Sequence, residues 1–211
     1  SPALDNETAV EFVYRQTDRE GCCNVYPIGA VTKERRGEEL AEIGQMIRAG
    51  AVGFSDDGRG IENAGVMLRA LQYLRMFDRP LLQHCEDASI SRGGVMNGGK
   101  TAIRLGLPGA STVAEDLMIQ RDLMLVEQTR ARYHVCHISS ARSVDLVRQA
   151  KAAGLPVTTE VCPHHLLLTD EACSTYDTNY KMSPPLRTQH DVDACRQGVL
   201  DGTIDCLVTD H

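Results

Sequence analysis

The stretch Ile204–His211 reads Ile-Asp-Cys-Leu-Val-Thr-Asp-His, and it decides how the fold is interpreted. Its apolar run predicts a short strand that ends on an acid and an imidazole. Parallel α/β folds collect their chemistry where strand ends face a common rim. Asp210 is therefore the candidate metal ligand and proton acceptor of this chain.

Further strands are predicted upstream, and helices alternate with them, which indicates a parallel sheet with right-handed crossovers. An open doubly wound sheet competes with an eight-stranded barrel from which two strand–helix units are missing. No G-x-G-x-x-G follows the first strand, and polar residues end at least four strands, so the barrel is favoured, as one domain over residues 1–211. The strands are predicted at residues 24–31, 51–55, 80–84, 132–138, 157–161 and 204–211.

Capping residues and apolar spacing predict the helices between these strands. Thr112 and Glu115 have the spacing of a capping box, in which the glutamate side chain returns to the helix start. Ser139 and Ser140 are candidate caps of the helix that ends at Gly154. The predicted helices cover residues 7–17 behind Asn6, 37–49, a segment with Met67, Leu71 and Leu74 on one face, 112–130, 140–154 and 192–200.

A Gly-rich connection from Ala88 to Ser111 interrupts this alternation and is predicted to be a functional loop or lid. Within it, Gly94–Thr101 matches the phosphate-loop pattern G-x-x-x-x-G-K-[ST]. That motif needs a strand directly before it and a helix opening on its lysine, and the segment after Lys100 looks too short for such a helix. Nucleotide binding is therefore not expected.

Composition restricts the class of protein. The 211 residues carry a net charge of −7, which disfavours nucleic acid and anionic membranes as partners. No apolar run approaches the roughly 20 residues of a membrane span. The eight cysteines are scattered without a C-x-x-C pair, and Cys85 and Cys136 sit in apolar strands, so they are interpreted as buried thiols in a reducing compartment, the cytoplasm.

Four residues at predicted strand ends form the candidate site. Two neutral imidazoles with two carboxylates suit Zn²⁺, which lowers the pKa of a bound water to about 7. Asp210 could hold the metal, accept the proton of that water and return it to a leaving nitrogen. The four candidate ligands are Asp57, His84, His137 and Asp210.

Other polar residues near these strand ends keep two interpretations. Glu86 and Asp87 follow His84 and are either loop caps or catalytic groups. His164 and His165 either brace the metal site or pack in the core. His134 is expected to be structural, because it lies three residues before His137 on the opposite face of the strand.

Six segments together resemble bacterial dihydroorotases of the longer, class I type, within the amidohydrolase superfamily. They cover essentially the whole chain in order. The resemblance implies a TIM-like (β/α)8 barrel, incomplete here with about six βα units and the first two strands missing. The segments are Phe54–Gly58, Leu82–Asp87, His134–Ser139, Val161–Thr169, Lys181–Arg187 and Asp201–His211.

The resemblance also implies an activity, the reversible zinc-dependent cyclisation of N-carbamoyl-L-aspartate to L-dihydroorotate in pyrimidine biosynthesis. Asp57, His84, His137 and Asp210 match family ligands for one or two zinc ions, and Asp210 also matches the general base. The 27-residue step from position 57 to position 84 favours Asp57 over its neighbour Asp56. A homo-oligomer is expected, with a small-molecule substrate.

The chain departs from the family pattern in two respects. Ser183 stands where close relatives have a substrate-contacting asparagine, which changes the reach and donor count of that side chain. The first-strand His-x-His-x-Arg motif, which supplies two ligands and an arginine, is absent. The chain is therefore expected to be an interior fragment that binds zinc poorly and is inactive by itself.

Two alternatives stay open. One is a hydantoinase- or allantoinase-like enzyme that acts on another cyclic amide. The other is a non-catalytic relative that serves as a scaffold for aspartate transcarbamoylase. Retention of all four candidate ligands argues against the scaffold.

Overall fold

The computed structural model describes residues 3–210, and these divide into two compact units. The first unit contains the described residues up to His84 together with Met124–Tyr133. The second contains Cys85–Leu123 and the described residues from His134 onward. Each unit is an assembly of short parallel strands and helices. Among the described residues, no helix is both long enough and apolar enough to cross a membrane.

Among its described residues, the first unit contains the parallel strands β1 (Ile28–Gly29), β2 (Gly53–Phe54) and β3 (Leu81–Gln83). Ile28 lies opposite Gly53, and Phe54 lies opposite Leu81, so β1, β2 and β3 are neighbours in chain order. Its elements are α1 (Glu7–Glu20), β1 (Ile28–Gly29), a 3₁₀ helix (Lys33–Arg35), α2 (Ile43–Arg48), β2 (Gly53–Phe54), α3 (Ala64–Arg75) and β3 (Leu81–Gln83).

Local capping sets the helix starts in this unit. The Asn6 side chain accepts a hydrogen bond from the Ala9 N–H at 3.0 Å, as the sequence predicts for the start of α1. Asn63 caps α3 in the same way. The predicted apolar face of α3 is fully buried at Met67, Leu71 and Leu74. In α3 the capping residue and the spacing of the buried apolar residues therefore indicate the same helix.

The prediction of a helix over residues 37–49 is wrong in its first half, because α2 begins only at Ile43. Gly37 has a φ of +73°, a left-handed value that ends any regular helix there. The chain then turns back: Lys33 N–H donates to the Glu39 carbonyl, and Ala41 N–H donates to Val31. Residues 37–42 are therefore a return loop beside β1.

The second unit contains a parallel pair, β7 (Val157–Val161) and β8 (Cys206–Leu207), and a separate small parallel pair, β4 (Met96–Asn97) and β5 (Gly109–Ala110). Helix α6 (Val113–Thr129) and strand β6 (Tyr133–Val135) each contribute residues to both units. The other elements are α4 (Ala88–Ser91), β4 (Met96–Asn97), α5 (Lys100–Leu105), β5 (Gly109–Ala110), α7 (Ala141–Ala152), β7 (Val157–Val161), α8 (Pro163–Leu167), 3₁₀ helices (Asp170–Thr175 and Thr178–Tyr180), α9 (Gln189–Leu200) and β8 (Cys206–Leu207).

The prediction of a long loop between Ala88 and Ser111 is wrong. This segment forms two helices and the β4–β5 pair, in which Met96 lies opposite Gly109. Glycine is needed at position 94, because a Cβ there would lie 2.6 Å from the backbone nitrogen of Ala110. The abundance of glycine reflects close backbone packing between two strands.

The phosphate-loop match is also clarified by this segment. A helix does begin at Lys100, contrary to the expectation, but the middle of the motif is the strand Met96–Asn97. The Thr101 hydroxyl, which would contact a magnesium ion in a phosphate loop, donates to Glu171 Oε1 at 2.7 Å. The segment is therefore not shaped as an anion cradle.

Serine caps and close helix packing organise the rest of the second unit. Ser140 caps α7 as predicted, and its hydroxyl accepts from the Ser143 N–H at 3.0 Å. Helix α9 packs against α7, and a Cβ at Gly198 would lie about 3.1 Å from side-chain atoms of Ile204 and Val144. The close contact between Gly198 and Ile204 thereby positions the residues that directly precede β8.

Candidate metal centre

The first unit brings two predicted ligands together at the carboxyl ends of its strands. His84 directly follows β3, and Asp57 lies three residues after β2. Asp57 Oδ1 is 3.6 Å from His84 Nδ1, with the imidazole buried and the carboxylate half-exposed. Two ligands of a tetrahedral zinc ion stand about 3.3 Å apart, given metal–ligand bonds of about 2.05 Å. The pair therefore has the separation that a shared metal requires.

Asp56, the rival to Asp57, has a different role. Its Oδ1 accepts the backbone N–H groups of Val31 at 2.8 Å and Thr32 at 3.1 Å, and Oδ2 accepts the Thr32 hydroxyl. Burial raises the pKa of this carboxyl, and the hydrogen bonds from Thr32 and Val31 partly oppose that shift. Asp56 thus fastens the end of β1, and Asp57 is the acid that faces His84.

The second unit holds the other two predicted ligands, both on unusual backbone. His137 follows β6 with a φ of +32°, and Asp210 follows β8 with a φ of +56°. Such values are uncommon for residues other than glycine and concentrate at functional sites. The His137 side chain is buried and Asp210 is exposed. His211, the last residue of the predicted strand end, lies outside the described residues.

His164 connects these two residues electrostatically. Burial lowers the pKa of its imidazole, the charge of Asp210 opposes that shift, and His137 adds to it. Burial likewise raises the pKa of the Cys162 thiol to about 11, with Asp210 and Glu160 contributing. His137 and Asp210 therefore both lie close to the start of helix α8.

His165, next along α8, is a packing residue. Its ring is buried, and Nε2 lies 3.0 Å from the carbonyl oxygen of Pro184. Burial lowers its pKa to about 4, so the ring is neutral at pH 7. Of the two interpretations of this histidine pair, packing accounts for His165.

Ser183, the predicted substrate-binding residue, is exposed and lines a small recess in the second unit. Its hydroxyl donates to Glu86 Oε2 at 3.3 Å. Glu86 and Arg187 also line this recess. Asp87 caps α4 by accepting the Ser89 N–H at 2.9 Å, which identifies it as a loop cap.

A buried ion pair that the sequence analysis did not identify lies beside this recess. Arg187 Nη2 is 3.3 Å from Glu115 Oε2, and both side chains are only 4% exposed. Glu115 also accepts the N–H groups of Ser139 at 3.0 Å and Ser140 at 3.1 Å. The prediction of a Thr112–Glu115 capping box is therefore wrong: this carboxylate binds the turn after β6.

Arg187 uses its remaining donors on the same network. Nε donates to the Ser139 hydroxyl at 2.9 Å, and Nη1 donates to Asn97 Oδ1 at 3.1 Å. The Asn97 amide in turn donates to Asp170 Oδ2 at 3.1 Å. One arginine thus ties together the end of β6, the small sheet and the segment that carries Ser183. The sequence motif Lys181–Arg187 includes this arginine, but the motif does not indicate that Glu115 is its charge partner.

The family described as Dihydro-orotase-like matches residues 1–143 of this chain. A dihydroorotase from Pelotomaculum thermopropionicum is 52% identical over 211 residues, which are 100% of this chain and 49% of that protein. One from Ruminiclostridium cellulolyticum is 50% identical with the same coverage. The chain spans about half the length of the curated relatives it matches.

Solved structures give the fold. An L-hydantoinase (dihydropyrimidinase) from Arthrobacter aurescens superposes with a TM-score of 0.82 at 24% identity, covering 100% of this chain and 48% of that one. A dihydropyrimidinase from Brevibacillus agri gives 0.74 at 17% identity, covering 99% and 47%. The fold is the amidohydrolase TIM-like barrel, and the strands among residues 3–210 form only part of it.

The predicted fold class and the predicted family are thus confirmed. Short parallel strands present acids and imidazoles at their carboxyl ends, the whole chain superposes on amidohydrolase barrels, and proteins half-identical to it are dihydroorotases. On this evidence the chain belongs to the dihydroorotase-like family.

Proposed function

We propose that the protein containing this chain is a metal-dependent dihydroorotase, which interconverts N-carbamoyl-L-aspartate and L-dihydroorotate. The observation that carries the proposal is the Asp57–His84 pair, held 3.6 Å apart at two strand ends. Relatives near 50% identity along the whole chain carry that enzyme name. Because the chain is about half as long as those relatives, the activity is proposed for the whole protein.

The proposed metal is Zn²⁺, held by Asp57, His84, His137 and Asp210. Imidazole nitrogen and carboxylate oxygen are donors that zinc accepts, and the spacing within the Asp57–His84 pair fits. The left-handed backbone at both His137 and Asp210 supports a functional role there. When bound, the metal supplies Lewis acidity that polarises the amide carbonyl of the ring.

Two residues of this chain have further proposed roles. Asp210 is exposed at its strand end; it accepts a proton from the water that attacks the carbonyl of the ring amide, and it returns that proton to the leaving nitrogen as the C–N bond breaks. Ser183 faces the recess and orients the substrate through its hydroxyl. The contact from Ser183 to Glu86 fixes that hydroxyl and keeps it on the rim.

A second candidate is a hydantoinase-like cyclic amide hydrolase. Two observations favour it: the serine at position 183, and the superposition on L-hydantoinase. Both reactions cleave a ring amide, so the proposed metal ligands do not distinguish a dihydroorotase from a hydantoinase. The higher identity to dihydroorotases makes dihydroorotate the preferred substrate.

The test measures ring opening of L-dihydroorotate and of a 5-substituted hydantoin by the whole protein, before and after treatment with a chelator. We expect turnover of dihydroorotate that chelation removes and Zn²⁺ restores. Asp210→Asn should lower kcat by 100-fold or more, on the order of a lost general base. Asp193→Asn, an exposed carboxylate on α9, is the matched control.

Two outcomes would contradict the proposal. Turnover that survives complete metal removal would exclude a metal-dependent mechanism. A preference for hydantoin over dihydroorotate would instead select the second candidate.

A further inference from the structure

The turn that follows strand β6 presents His137 on a strained backbone. The φ of His137 is +32°, a value that side chains other than glycine rarely adopt. Such a conformation persists only where the surrounding structure fixes it. The N–H of Ile138 donates to the Glu160 carbonyl at 2.9 Å, which fixes the residue directly after the histidine. The next two residues are held by side chains from elsewhere in the second unit.

Glu115, on helix α6, supplies the contacts to those two residues. Its Oε1 accepts the N–H groups of Ser139 at 3.0 Å and Ser140 at 3.1 Å, and its Oε2 accepts the Ser139 hydroxyl. Three donors from two consecutive residues thus end on one buried carboxylate. Because Ser139 is only two residues after His137, the position of this carboxylate restricts where the imidazole can lie.

Arg187 keeps that carboxylate charged and in place. Its Nη2 is 3.3 Å from Glu115 Oε2, and its Nε donates to the Ser139 hydroxyl at 2.9 Å. Burial would raise the pKa of Glu115, but the Arg187 charge and the Ser139 hydrogen bonds keep it below its usual value. A third contact, from Nη1 to Asn97 Oδ1 at 3.1 Å, ties the guanidinium to β4. Only a planar fork of donors can serve all these acceptors together.

The same arginine ends the short segment that carries Ser183. The carbonyl of Pro184 lies 3.0 Å from Nε2 of the buried His165 ring, and the Arg187 carbonyl accepts the Asp170 N–H at 2.8 Å. The segment is therefore fixed near both of its ends. A displacement of Arg187 would be passed along these few residues to Ser183.

We propose that Arg187 is a positioning residue that, through its pair with Glu115, holds His137 and Ser183 in a fixed spatial relation. The inference rests on the proposed function, which makes His137 a metal ligand and Ser183 a substrate-binding residue. The pair is buried, and it acts through the turn at Ser139 and through the segment that ends at Arg187. Zinc affinity and substrate affinity therefore both depend on one ion pair.

The test measures two quantities on the whole protein: zinc affinity, by competition with a chromophoric chelator, and KM for L-dihydroorotate at saturating zinc. Circular dichroism confirms that each variant is folded under the assay conditions. We expect Arg187→Met to bind zinc about 10- to 100-fold more weakly, as is usual when a group that orients a metal ligand is lost. Its KM should also rise, because Ser183 is no longer held.

Three further variants separate positioning from stability. Leu146→Ala truncates a buried side chain of α7, so it should weaken the fold and leave zinc affinity and KM unchanged. Ser183→Ala should raise KM alone. Arg187→Lys keeps the positive charge but cannot make all three contacts, so it should recover stability more fully than zinc affinity. If Arg187→Met does not fold, Arg187→Lys provides the comparison.

Three results would overturn the proposal. One is zinc affinity equal to wild type in every folded Arg187 variant. Another is an equal loss of zinc affinity in Leu146→Ala, since affinity would then follow overall stability. The third is an unchanged KM in the Arg187 variants while Ser183→Ala raises it. Absence of dihydroorotase turnover in the wild-type protein would instead overturn the proposed function, and zinc affinities measured without substrate would still test the restraint on His137.

Discussion

Replacing Arg187 with methionine should destabilise the protein strongly, because it leaves a buried carboxylate without its counter-charge. Glu115 and Arg187 are each 4% exposed, and the guanidinium also donates to Ser139 and Asn97. Breaking a buried pair from one side costs about 3–5 kcal/mol. With a urea m-value of about 2 kcal/mol/M, the unfolding midpoint should fall by about 2 M.

The second substitution, Glu115→Gln, should restore much of this loss. A glutamine oxygen can still accept the Ser139 and Ser140 N–H groups, and its amide can donate to the Ser139 hydroxyl. The double variant carries no buried charge at this point. We therefore expect it to recover at least about half of the lost free energy of unfolding, as replaced ion pairs generally do.

The pH dependence gives an independent check. Burial alone would raise the pKa of Glu115, but the Arg187 charge and the Ser139 hydrogen bonds hold it below the usual 4.5. A carboxyl whose pKa is lower in the folded protein than in the unfolded chain stabilises the fold above about pH 4.5. This contribution is lost as the pH falls through the folded-state pKa. In Arg187→Met burial prevails and the pKa rises, so the destabilisation should be smaller at pH 4 than at pH 8.

The matched control is Arg104→Met, which breaks the Arg104–Glu171 pair whose side chains are 55% and 62% exposed. Exposed pairs contribute about 0–1 kcal/mol, so this variant should change stability little. The reasoning would be refuted if both arginine variants cost the same, or if the double variant were no more stable than Arg187→Met.

Three further predictions concern single positions. Asp56→Ala should lower the free energy of unfolding in urea by about 2–3 kcal/mol, because it leaves buried N–H donors unpaired, whereas Asp57→Ala should change it by less than about 0.5 kcal/mol and weaken zinc binding in calorimetry. His165 has its pKa lowered by burial to about 4, so its stabilising contribution is full above pH 6.5 and is lost towards pH 4; wild type should lose about 3 kcal/mol more than His165→Gln across that interval, and parallel curves would contradict this. Gly94→Ala should cost about 1–3 kcal/mol through its clash with Ala110, while Gly99→Ala, whose Cβ would meet its nearest atom at 3.8 Å, should be nearly neutral in thermal unfolding.

The sequence predicted correctly those elements that depend on residues close to one another in the chain. The cap at Asn6 and the cap at Ser140 appear where the residues indicate, and β7 has the predicted bounds, Val157–Val161. In the two caps a side chain and a backbone group only three residues apart determine the outcome. The strand–helix alternation likewise follows from apolar periodicity, so the fold class could be predicted.

Contacts between distant residues account for two of the errors. Glu115 looked like a capping-box residue because Thr112 precedes it by three, but its charge partner, Arg187, is 72 positions away. The segment Ala88–Ser111 looked like a loop because its glycines suit loops, and only the pairing of β4 with β5 gives them another function. A sequence window contains neither partner, so these features required the structure.

The backbone at Asp210 has a consequence for how this chain can change over generations. The residue is exposed and holds a φ of +56°, a conformation that costs an ordinary side chain about 1–2 kcal/mol and costs glycine almost nothing. A lineage selected for a stable fold alone would drift towards glycine here, while one selected for the catalytic role proposed for Asp210 would retain the acid. The residue found at this position in any descendant should therefore tell whether the role proposed for Asp210 is still under selection.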